Sequence, residues 1–120
     1  MDSQKNDQER AQYTRLISDT EASIDDLRRE QRKIEESIQS LQTELQRGYR
    51  QLAILNEEDI HEGSLENLRM QRHDEIQEQE FKRELRQVEE HISDSYIEQR
   101  KVLDKQKEEL YEKRSAVPWD

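Results

Sequence analysis

The side chains in this 120-residue chain best suited to hold a metal or move a proton are three histidines, His61, His73 and His91. A zinc site needs ligands that converge, from positions i and i+4 of one helix or from two paired short motifs. No two of these histidines have such a spacing, and the chain has no cysteine to complete a set. His91, following Glu89-Glu90, reads as a solvated residue. The run from Asn56 to Ser64 holds Glu57, Glu58, Asp59 and Glu62 and no base. It would attract a cation, yet it lacks the alternating ligands and central glycine of a calcium loop. A solubilising tip is the better reading, with docking of a basic partner as the second. Arg28, Arg29, Arg32 and Lys33 would suit a phosphate, but Asp25, Asp26, Glu30, Glu35 and Glu36 surround them. That mixture is the mark of a charge-laced helix face. There is no glycine-rich phosphate loop and no spaced Ser, His and Asp set. The expectation is a non-enzyme with no metal and no cofactor.

The elements that would carry these residues are set by composition and period. Hydrophobic residues make up 29% of the chain and charged ones 42%, with two glycines and one proline. Such a composition fits either disorder or long helices and coiled coils, and periodicity decides between them. From Tyr13 the steps alternate four and three: Ile17, Thr20, Ile24, Leu27, Gln31, Ile34, Ile38, Leu41, Leu45, Gly48, Leu52 and Leu55. This is a heptad with Ile17, Ile24, Gln31, Ile38, Leu45 and Leu52 at a and the others at d. The period stops at Asn56, and Ser64 has the character of an N-cap for a second helix.

The second periodic segment is looser. Phe81, Leu85, Val88, Ile92, Tyr96, Leu103 and Leu110 are its apolar positions, with repeated spacings of eleven that relax left-handed supercoiling. Leu68, Met70 and Ile76 fall at irregular steps. The layout is a polar, flexible N-terminus over 1–12, helix 1 over 13–55, an acidic turn over 56–64, helix 2 over 65–114 and a tail over 115–120. Two helices of similar length joined by a short turn predict an all-α antiparallel hairpin, able to complete a larger bundle with partner helices. Folding about residue 60 would place Ile38 near Phe81 or Lys82 and Ile17 near Leu103.

A two-helix hairpin offers no concave pocket for catalysis. It does leave apolar residues off the seam: Leu16, Tyr49, Ile54, Met70, Ile97, Val102 and Tyr111. That surplus points to further helices packing against it, from a second copy or another protein. Trp119, beyond the helix-stopping Pro118, is either folded back on the hairpin or a docking anchor. The net charge of −10 disfavours nucleic acid and anionic membranes as partners. No stretch approaches the roughly 20 apolar residues of a membrane span. The polar start, Met1 to Arg10, lacks the apolar core of a signal peptide. The expected location is the cytoplasm, with export alongside a partner left open.

The closing run, Glu98-Gln99-Arg100-Lys101 to Glu108-Glu109-Leu110-Tyr111-Glu112-Lys113-Arg114, together with the polar first helix and central turn, resembles the small helical targeting factors of LXG toxins in the bacterial type VIIb secretion system. The resemblance implies a chaperone-like partner that binds the helical N-terminal domain of a toxin together with a second small helical protein. The chain departs from related hairpins in having no Trp-x-Gly at its turn and no Phe-x-x-x-Asp export signal. Two other readings stay open: a stalk or scaffold hairpin of a flagellar or type III export apparatus, and a structural homodimer forming a four-helix bundle.

Overall fold

A computed structural model of the chain describes residues 2–61 and 65–119. Helix α1 covers Asp2–His61 and helix α2 covers Leu65–Ala116. They form a helical hairpin, and there is no strand among the described residues. Contacts between the helices divide into two compact units, one of Met1–Arg32 with Ser93–Asp120 and the other of Lys33–Ile92.

Both helices exceed the bounds that periodicity suggests. Residues 2–12 are helical rather than a loose leader, being rich in Gln, Glu, Arg and Lys, which favour helix. At the other end α1 continues through Asn56 to His61, although its apolar period has stopped. The expected N-cap at Ser64 lies outside the described residues, as do Glu62 and Gly63. Extending α1 moves the pivot. In the first unit Arg10 meets Pro118, Thr14 meets Arg114 and Glu21 meets Lys107 and Tyr111. In the second, Asn56 meets Asp74 and Tyr49 meets Phe81. These antiparallel pairs centre on residues 64 to 66, not 60. Ile17 is therefore level with Tyr111 and its neighbours, not Leu103, and Ile38 with Ile92, not Phe81.

The first unit packs an apolar seam. Ile17, Ile24, Tyr96 and Val117 are buried, with Tyr13, Leu27, Leu103 and Leu110 half-buried beside them. Each buried isoleucine contributes about 1.5–3 kcal/mol of transfer free energy. Cross-helix polar contacts flank this seam: the Lys107 ammonium is 3.3 Å from Glu21, and the Tyr111 hydroxyl donates to the same carboxylate at 3.4 Å. Val117 closes the unit. Its N–H donates to the Arg114 carbonyl at 3.2 Å, which turns the chain off the helix axis just before Pro118.

The second unit departs from the heptad after Ile38, although Leu45 and Gly48 stay half-buried. Ile34 is half-buried and Ile38 buried, but Leu41, the next d position, is 45% exposed while Gln42 is half-buried. From there the inward positions are Gln42, Leu45, Tyr49, Ala53 and Asn56. Counted from Ile38, these positions make five steps over 18 residues, the 3.6-residue period of a straight helix. Measured against a strict seven-residue repeat, a straight helix drifts by about 20° per heptad. The drift turns Leu52 and Leu55 outward, at 42% and 57% exposed. On α2, Leu85 and Ile92 are half-buried, Phe81 is at the edge of the seam and Val88 is exposed, since the seam passes between Leu85 and Ile92. Before Phe81 the inward residues are Asn67, Gln71, Asp74 and Glu78, all polar.

Candidate functional site

The second unit has an apolar seam at Ile34, Ile38, Leu45, Leu85 and Ile92 that turns polar towards its far end, where Leu41, Leu52 and Leu55 lie on the outside. Asn56 is buried, and its amide Nδ2 donates to the Asp74 carboxylate at 3.2 Å. Glu78 pairs with Lys82 at 3.2 Å, one turn further along α2. Between them the Tyr49 ring tilts against Phe81, centroids 6.4 Å apart. Burial pushes the Tyr49 phenol above its usual value, and the nearby carboxylates of Asp74 and Glu78 oppose its ionisation further. Tyr49 is thus a seam residue of this unit rather than one of the outward-facing set.

Outside this seam lies a shallow apolar depression lined by Leu41, Leu45, Gly48, Leu52 and, from α2, Gln77. Leu55 continues the α1 stripe by one turn. Gly48 stands in its middle, where a glycine costs a helix roughly 1 kcal/mol relative to alanine. A Cβ built there meets nothing within 4 Å, so the hairpin's own packing gives no reason for the glycine. On the opposite side of the unit, Gln42, Gln46, Tyr49, Phe81, Lys82 and Arg86 line a second, more polar groove.

The remaining outward candidates are scattered. Leu16, Ile54, Met70, Ile97, Val102 and Tyr111 are all exposed, as sequence spacing indicates, though Tyr111 also reaches Glu21. Trp119 follows the first of its alternatives. It folds back so that the Arg10 guanidinium lies 3.9 Å from its ring centroid, a cation–π contact, while the residue stays 82% exposed. Arg10 also donates to the Pro118 carbonyl at 2.6 Å and pairs with Asp7 at 2.5 Å. This clamp is what ties the tail to the first turns of α1. No sequence pattern announces it, because its partners are far apart in the chain and meet only once the register is known.

The residues with possible chemistry stay apart. His73 is exposed, with its ring nitrogen 3.9 Å from Asp74. His91 is also exposed and lies about 27 Å further along α2, at 1.5 Å per residue. The side chain of His61 and the tip of the acidic run lie outside the described residues. Among the described residues no group of three or more His, Asp or Glu could hold a metal ion. Arg29 is spent on local partners, the Asp26 carboxylate at 3.0 Å and the Asp25 carbonyl at 3.5 Å. No helix among the described residues is long and apolar enough to cross a membrane. Comparisons with protein-family models, with curated proteins and with solved structures gave no match.

Proposed function

We propose that this hairpin works by binding other helices and not by catalysis. The observation that carries the reading is the outward turn of Leu41, Leu52 and Leu55 while Gln42, Asn56, Asn67, Gln71, Asp74 and Glu78 take inward positions. A two-helix unit that exposes these leucines and encloses these polar groups is completed by a further apolar helix, which would remove the stripe from water. The finer form of the proposal rests on the resemblance to LXG-associated targeting factors: the partner is the helical N-terminal domain of a secreted toxin, and the hairpin acts as its adaptor for type VIIb secretion.

Co-expression of the chain with such a toxin domain tests this directly. The native chain is expected to co-purify with the domain, and a Leu41→Gln/Leu52→Gln variant to lose it. Failure of the native, folded chain to co-purify removes the secretion role. Retention by the double variant shows that the stripe is not the binding face.

A further inference from the structure

We infer that the stripe seats one amphipathic helix of another protein, about four turns long, whose apolar face is flanked by Lys and Arg. The inference rests on the helix-binding reading and adds the chemistry of the partner. Its length comes from the span of Leu41 to Leu55, about 21 Å at 1.5 Å per residue. Its width comes from both helices. Gln77 of α2 lines the same depression as Leu41 and Leu52. Met70 and Val88 lie seven residues before and eleven after Gln77, spacings that return to one edge of a helix. Both are exposed. Gly48 leaves the centre of this floor without a side chain, which lets an incoming backbone approach closely.

Charge chooses the occupant. Glu44 and Glu58 each lie three residues beyond a stripe leucine on α1, and Glu66 and Glu84 each precede Met70 or Val88 by four on α2. These spacings put a glutamate on both rims near both ends. Arg47 and Arg69 are turned about 100° from their neighbours Gly48 and Met70, and Lys33 lies beyond the Leu41 end. A second copy, carrying the same rims and the same net charge of −10, would set glutamate against glutamate. A helix with basic flanks places opposite charge on each rim and leucines on the floor.

The test uses the full chain and three fluorescein-labelled peptides of about 15 residues. All share one leucine stripe at helical spacing and differ only in flanking residues, Lys, Gln or Glu. Fluorescence anisotropy at physiological salt is expected to show the Lys peptide binding at least about tenfold tighter than the Gln peptide, with the Glu peptide weakest. Leu41→Gln/Leu52→Gln and Gly48→Leu each lower Lys-peptide affinity by about tenfold or more, while Ile54→Gln/Ile97→Gln leaves it unchanged. Circular dichroism of each variant verifies that the helices persist. Equal binding of all three peptides at the stripe would overturn the basic-partner inference and leave helix binding standing. Lys-peptide binding that ignores the stripe substitutions would also overturn it, as bare charge attraction. A stable dimer by light scattering, abolished by Leu41→Gln/Leu52→Gln, would give the face to a second copy. Absence of binding by every peptide would sink the inference and, with no toxin domain retained either, the helix-binding function too.

Discussion

Ile24→Ala is expected to destabilise the chain by about 2–4 kcal/mol, while Leu52→Ala changes it by no more than about 0.5 kcal/mol. Both residues occupy the a position of the same uninterrupted heptad, so the sequence pattern alone would assign them equal weight. Their surroundings differ. Ile24 is 5% exposed in the first unit, between helices whose other inward residues include Ile17, Tyr96 and Leu103. Truncating it forfeits the transfer free energy of the lost carbons and leaves a void that two long helices close only in part. Leu52 is 42% exposed and lines the outer depression. Alanine is also the better helix former, which offsets what little packing is lost. Urea titrations monitored by circular dichroism measure both. A loss at Leu52 as large as that at Ile24 would mean the heptad seam runs unbroken into the second unit.

The part-buried pair Asn56–Asp74 carries the other large effect, and its sign depends on how it is broken. Asp74→Ala removes the carboxylate that accepts from the Asn56 amide at 3.2 Å, leaving a buried donor without that acceptor. The expected cost is about 1–3 kcal/mol. Replacing both partners together, Asn56→Leu with Asp74→Leu, is expected instead to stabilise the chain by about 1–4 kcal/mol, because two apolar side chains then fill the seam. The comparison of single and double variants isolates the pair. Destabilisation by the double variant equal to the sum of its parts would show that these positions do not face each other.

Those two cases mark how far the sequence is legible and where it stops. The unbroken period from Tyr13 to Ile38 and the eleven-residue spacings of α2 reveal two long helices, and they pick out Ile17, Ile24, Ile38 and Tyr96 from the buried core but not Val117 or Asn56. Beyond Ile38 the heptad template misleads, because a 3.5-residue repeat is imposed on a helix with a period of 3.6. The end of α1 is misplaced for a related reason. Apolar periodicity stops at Leu55, but the helix goes on, and Asn56 takes an inward position by bonding to Asp74. Placing the pivot four to six residues early shifts the pairing of the two helices by about two to three turns. The Arg10–Trp119 contact is lost with it, since a cation–π pair between the two ends of the chain is visible only in the correct register.

Hydrogen exchange of the chain, alone and saturated with the Lys-flanked leucine peptide, tests the central claim that the second unit is completed by another helix. Alone, amides in the first unit, over 13–31 and 96–114, are expected to exchange more slowly than those in the second unit, over 41–58 and 66–88, because the first has more buried apolar residues along its seam and the second is polar over 67–78. The peptide is expected to slow exchange in 41–58 and 66–88 and leave the first unit as it was. Uniform protection of the free chain, or protection gained in the first unit instead, would contradict the account.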